Sequence, residues 1–106
     1  MELWSIRIDP AVWDDLKEIE AYYRRVAPEQ IAVWRQKYEE TVMIIHQWPY
    51  LNEEDRPHIR HCKTAVFPYN IFYTTNESAR LITITAVLHQ RRAPALAIAR
   101  THGSSR

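Results

Sequence analysis

Glycine is nearly absent from this 106-residue chain, occurring once, at Gly103. Chain reversals must be made by Pro, Asn, Asp and Ser, which favours few, long elements. Cysteine is as scarce: Cys62 has no second thiol, which excludes an internal disulfide and a Cys-rich metal site and points to a reducing compartment. No apolar run approaches the roughly 20 residues that cross a bilayer. The opening MELWSIRIDP breaks its apolar positions with Glu2, Arg7 and Asp9 instead of presenting a signal-peptide core. A cytoplasmic protein without membrane association is expected.

Acid is what the second half lacks. Residues 56–106 hold one carboxylate, Glu77, against eight Lys or Arg, a net of +7; residues 1–55 hold twelve against six, a net of −6, so the total of +1 conceals a strong asymmetry. Four of the five histidines, His58, His61, His89 and His102, also lie in the second half. A basic half suits a phosphate-bearing or acidic partner; the alternative is that the halves attract each other within one domain. Hydrophobic (46%) and charged (25%) fractions are ordinary globular values and exclude a disordered or low-complexity chain. The length suits one domain, residues 1–106, with four Trp, six Tyr and two Phe supplying much of its core.

Trp4, Ile6 and Ile8 alternate with Ser5 and Arg7, the period of a half-buried strand. Asp9-Pro10 is a helix start, Asp capping free N–H groups and Pro tolerating the first helical position. Trp13, Leu16, Ile19, Tyr22 or Tyr23 and Val26 form the apolar stripe, and Asp14, Asp15, Lys17, Glu18, Arg24 and Arg25 the solvent side. Pro28 ends this helix near Ala27 and opens a second, with Ile31, Trp34, Tyr38, Val42, Ile45 and Trp48 at helical spacing up to Pro49. PYLNEEDRPH, residues 49–58, reads as a loop.

Three β-rich runs follow, 59–67, 69–75 and 80–89, the last two joined by a turn at Asn76, Glu77, Ser78 and Ala79. In the last run Ile82, Ile84, Ala86 and Leu88 share the core parity. The expected fold is α+β: an N-terminal strand and an antiparallel two-helix hairpin packed on one face of an antiparallel four-stranded sheet (β-α-α-β-β-β), with ALAIAR forming a short C-terminal helix.

Four pieces in this order, DPAVWDDLKEIEAYY, APEQIAVWRQKYEETVMIIHQWP, the strand pair from Arg60 through VFPYNIFYT, and ITAVLHQRRAP, resemble the RelE/ParE superfamily of bacterial type II toxin–antitoxin toxins over roughly residues 5–94. The likeness is nearer the ParE and plasmid-stabilisation branch. It implies a toxin neutralised by a cognate antitoxin, with toxin dimers or heterotetramers among the assemblies. It also implies one of two targets: DNA gyrase, bound by a ParE-like inhibitor that is not an enzyme, or the ribosome and its messenger, cut by a RelE-like endoribonuclease. Neither activity implies a cofactor. The gyrase reading is preferred, because the basic half has a single lysine, Lys63, where a ribosome-directed nuclease typically presents several cations.

RNA cleavage through the 2′-hydroxyl needs a base, an acid and cations for the developing phosphorane charge. His89, Arg60 and Arg91 could supply these. The wider set for target or antitoxin binding is Arg60, Tyr69, Tyr73, Arg80, His89, Arg91 and Arg92. Structural readings stand beside these: His89 as a strand end bonded to backbone, Arg60 as a tie between sheet edge and helices, Tyr69 and Tyr73 as core. No metal is expected, because His58 and His61, three apart in a strand, point to opposite faces.

Overall fold

The computed structural model describes residues 3–91. Strand β1 (Ser5–Ile8) leads into helix α1 (Pro10–Val26) and helix α2 (Gln30–Gln47), followed by β2 (Glu54–Arg56), β3 (Ile59–Lys63), β4 (Tyr69–Asn76) and β5 (Leu81–His89). Asp9 starts α1 as expected: its carboxylate accepts the Ala11 N–H at 3.0 Å, with Pro10 in the first turn. Arg24 and Arg25 in the last turn of α1 complement the helix dipole. Pro28 and Pro49 stand just beyond the ends of α1 and α2. The expected ALAIAR helix lies outside the described residues.

The sheet has five strands in the order β1-β5-β4-β3-β2, one more than expected. The extra strand, β2, falls within the polar segment read as a loop. It is three charged, exposed residues, too short and too polar to show a period, and it pairs antiparallel with β3 through an irregular register. The sheet is also not wholly antiparallel: β1 runs parallel to β5, Ser5 opposite Leu81 and Ile8 opposite Ile84. A strand separated from its partner by two helices and three strands can enter in either direction, so local sequence could not decide it.

The helices cover one sheet face over Val12, Ile19, Trp34, Ile45, Phe67, Tyr69, Ile71, Tyr73, Ile82, Ile84 and Val87. Trp34 packs its indole against Phe67 at 5.4 Å and Tyr69 at 5.1 Å between ring centres. The other face carries a smaller cluster, Ile59, Phe72, Ala86 and Leu88. The shared parity expected along β5 therefore breaks. Phe72 pairs with Ala86 but Tyr73 with Ile84, so Thr85 is a bulge residue. One inserted residue reverses every later side chain: Ile82 and Ile84 face the helices, Ala86 and Leu88 face away, and Val87 takes their place under α1.

The α1 stripe keeps Leu16, Ile19 and Tyr23 as expected, but it starts at Val12 instead of Trp13 and takes in Asp15. Val12, Asp15 and Ile19 are buried, while Trp13, Tyr22 and Val26 are exposed; at the end of α2, Trp48 is exposed too. Val12, Leu16, Ile19 and Tyr23 form an equally regular helical row, and the large size of Trp13 outweighed it in the sequence.

Scarcity of glycine leaves three non-glycine residues among those described in the left-handed region: His58 (φ 68°), Val66 (φ 75°) and Arg80 (φ 53°). They sit in the β2–β3, β3–β4 and β4–β5 connections. The Glu54 carboxylate accepts the His58 N–H across the first, and the Asn76 side chain accepts the Ala79 N–H at 3.0 Å across the last. No helix among the described residues is long and apolar enough to cross a membrane.

Candidate functional site

The candidate residues fall into two groups at opposite ends of the sheet. Arg60 on β3 lies opposite Tyr73, which lies opposite Ile84 on β5; His89 lies opposite Tyr69. Four residues of β4, from Tyr69 to Tyr73, separate these levels, roughly 13 Å of strand. Arg60 and His89 consequently do not converge on one reacting group.

At the first end, Arg60 is held by loop and sheet together. Its guanidinium donates to the Asn52 carbonyl at 2.5 Å and to the Glu54 carboxylate at 3.4 Å, and lies 4.9 Å from the Tyr50 ring centre. With its side chain 13% exposed, Arg60 binds the segment after α2 to the sheet, which is the structural reading of this residue. Tyr73 works alongside it: its buried hydroxyl donates to the Pro49 carbonyl at 2.9 Å and accepts from the Asn52 amide at 3.4 Å. Burial pushes the Tyr73 phenol above its ordinary pKa.

Tyr50 extends this end into a row of alternating rings and cations. Its ring meets Trp4 edge-on at 5.6 Å, and Trp4 in turn lies 5.5 Å below the Arg80 guanidinium. The row thus runs Arg60, Tyr50, Trp4, Arg80, joining residues far apart in sequence. Sequence reasoning named the two arginines and missed the rings between them. Trp4 reads as one member of a strand face, and Tyr50 sits in a loop without period. His46 fixes the strand end here, donating from Nε2 to the Trp4 carbonyl at 2.6 Å.

At the second end, the Tyr69 ring stands edge-on to His89 at 5.5 Å. Tyr69 and Tyr73 are both buried, which makes them core members and not platforms for a base. His89 Nδ1 accepts the Arg91 N–H at 3.1 Å. In the neutral ring that occupies the basic lone pair and leaves Nε2 as the donor. Arg91 is exposed, and Arg92 lies outside the described residues. Between this end and α1 is a cavity of about 360 Å³ lined by Asp15, Tyr23, Tyr69, Val87 and His89 among others. Burial, Tyr23, Tyr22 and Glu18 together push the Tyr69 phenol up to about 12.

Elsewhere His61 donates from Nδ1 to the Asp55 carboxylate at 2.5 Å and lies against Phe72. Burial raises the Cys62 thiol above its ordinary pKa, which disfavours the reactive thiolate. No group of three or more His, Cys, Asp or Glu among the described residues is placed to hold a metal ion.

Residues 6–94 match the family of ParE toxins of type II toxin–antitoxin systems. The chain belongs to this ParE toxin family. Among solved structures, the toxin resembles a chain of the chromosomal ParDE system from P. aeruginosa, with TM-score 0.71 and 18% identity over 82% of this chain and 96% of that one. An E. coli RelE mutant in the free state matches with TM-score 0.60 and 8% identity over 97% of this chain and 98% of that one. The archaeal RelE–RelB complex from Pyrococcus horikoshii matches with TM-score 0.54 and 14% identity, covering 87% and 100% of the two chains. At these identities the solved structures share a fold with the toxin. No curated protein matches it.

Proposed function

We propose that this toxin acts as a ParE-like inhibitor of DNA gyrase, held inactive by a cognate antitoxin, and that it cuts no RNA. The observation carrying this reading is the division of the cleavage set. Arg60 is consumed in fixing the loop after α2, roughly 13 Å of strand from His89, and the basic lone pair of a neutral His89 is already engaged by the Arg91 N–H. A base for the 2′-hydroxyl and a cation for the phosphorane are not side by side. Membership in the ParE toxin family supports the same direction, and the antitoxin partner follows from the toxin–antitoxin systems in which the family and its structural neighbours occur.

A second reading, a RelE-like ribosome-dependent endoribonuclease, draws on the proximity of His89, Tyr69 and Arg91 at one end of the sheet. One experiment separates the two. Purified toxin is placed with gyrase and supercoiled DNA in one reaction and with translating ribosomes in another. Blocked supercoiling or broken DNA with intact messenger is expected, and Arg91→Ala or Arg92→Ala weakens the effect by removing an anchor of a protein–protein contact. Messenger cleavage that falls about 10² to 10⁴ fold in His89→Ala, as for a general acid–base group, would overturn the gyrase reading.

A further inference from the structure

The last turns of α2 and the segment after it expose a run of large apolar side chains. Met43 and Ile44 are exposed on adjacent rows of the helix. Trp48, four residues on from Ile44, closes the last turn by donating its N–H to the Ile44 carbonyl at 2.8 Å. The Leu51 N–H donates in turn to the Trp48 carbonyl at 3.0 Å, so Leu51 follows one turn later. Met43, Trp48 and Leu51 are 63%, 62% and 67% exposed, whereas Ile45 and Pro49 between them are buried. Single exposed apolar residues need no explanation, but a contiguous group marks an interaction surface. Met and Trp are also among the side chains enriched in protein interfaces.

The charge around this patch selects its occupant. Glu39 stands one turn before Met43, and Glu53 comes two residues after Leu51; both are exposed. Among the described residues neither forms an ion pair. Glu40, one turn before Ile44, is shared with Lys37 at 3.4 Å. The pairs Arg60–Glu54 and His61–Asp55 join the basic half to the acidic one, and both of those acids lie in β2. Carboxylate beside the patch is thus left at the surface, where it suits a cationic partner. An anionic lipid surface would be repelled by it. A second copy packed here about a two-fold axis would set acid against acid, Glu39 meeting its own counterpart or Glu53.

We propose that the end of α2 is a docking surface for a basic amphipathic helix of a protein partner. Apolar anchors at three- to four-residue spacing cover Met43, Ile44, Trp48 and Leu51, and lysines or arginines beside them meet Glu39 and Glu53. The surface is independent of whether gyrase or the ribosome is the target.

The test uses the whole toxin and three capped, fluorescein-labelled helical peptides that share a leucine stripe and carry Lys, Gln or Glu at the remaining positions. Anisotropy is expected to rank them Lys, Gln, Glu in falling affinity, and the Lys peptide to move the amide resonances of Met43, Trp48 and Leu51. Trp48→Gln and Leu51→Gln, both at exposed positions, should each weaken the Lys peptide about tenfold, with circular dichroism and thermal midpoint unchanged. Glu39→Gln should weaken the Lys peptide about two- to threefold, leave the Gln peptide unaffected, and lose its effect in about 1 M salt. Val26→Gln, at the exposed opposite end of the hairpin, should change nothing. Equal affinity for the Lys and Glu peptides would overturn the proposal, as would perturbations that map elsewhere, no binding at saturating Lys peptide, or a loss in Val26→Gln equal to that in Trp48→Gln. A toxin dimer in sedimentation that Trp48→Gln returns to monomer would assign the surface to a second copy and overturn the partner.

Discussion

Asp15 on α1 accepts the Val87 N–H of β5 at 2.9 Å, a bond between residues 72 positions apart. Its origin lies in the length of β1. That strand covers β5 only from Leu81 to Ile84, and beyond it, past the Thr85 bulge, no strand among the described residues pairs with this edge of β5 to receive its N–H. The Asp15 carboxylate substitutes for the missing strand from a position 4% exposed. Asp15→Ala should cost about 1–3 kcal/mol by leaving a buried donor unsatisfied, and Asp15→Asn, which retains an acceptor oxygen, less than half of that. Urea titrations with unchanged m-values would check this; equal losses in the two variants would rule out the hydrogen bond as the source.

Val66 occupies left-handed backbone at φ 75° and the residue is 77% exposed. A β-branched residue there is strained by about 1–2 kcal/mol, and nothing in the core compensates, since the side chain points to water. Glycine removes the strain at the cost of about 0.5–1 kcal/mol of added freedom in the unfolded chain. Val66→Gly is therefore expected to raise the unfolding midpoint slightly, and Val66→Asn to do the same. A lower midpoint in both would refute the strain.

The order and type of the long elements were legible because each follows a local rule: alternation at Trp4–Ile8, capping at Asp9-Pro10, proline stops at Pro28 and Pro49. What was not legible depends on distant partners. Asp15 reads as a solvated helix residue until the fold places it against the Val87 N–H of β5. The Thr85 bulge reassigns Ala86, Val87 and Leu88 although their alternation looks unbroken. β2 is three charged residues that become a strand by pairing with β3. The same holds for the sites. Arg60 and Arg80 could be named from their type and position, but the rings of Trp4 and Tyr50 that connect them are brought together by the fold.

Glu20 on α1 and Arg35 on α2 form a two-pronged pair at 2.8 and 2.6 Å, the main charged link across the hairpin among the described residues. The hydrogen bond from Arg35 holds the Glu20 carboxyl below its ordinary value of 4.5, with a smaller contribution from Arg24. A carboxylate with a depressed folded-state pKa stabilises the fold above its unfolded value, and that contribution disappears as pH falls through the folded value. Stability should thus decline below about pH 4.5 more steeply in the native toxin than in Glu20→Gln. Parallel profiles of midpoint against pH for the two proteins would exclude a role for this pair.

Arg60 and Arg91 make opposite predictions, which separates structure from function in the basic half. Arg60 is mostly buried and bonded to Asn52 and Glu54. Arg60→Ala therefore leaves the Asn52 carbonyl without its charged donor and frees the loop after α2, for a loss of about 1–3 kcal/mol. Arg60→Lys should recover little, because a single ammonium cannot reach both acceptors and cover the Tyr50 ring as a planar guanidinium does. Arg91 is exposed, and the bond it makes to His89 comes from its backbone. Arg91→Ala should leave stability within about 0.5 kcal/mol of the native value while weakening growth arrest in cells. Thermal midpoints and growth curves of both variants at matched soluble expression provide the comparison. If Arg60→Ala kept the native midpoint and lost toxicity, Arg60 would belong to the target-binding surface and not to the framework.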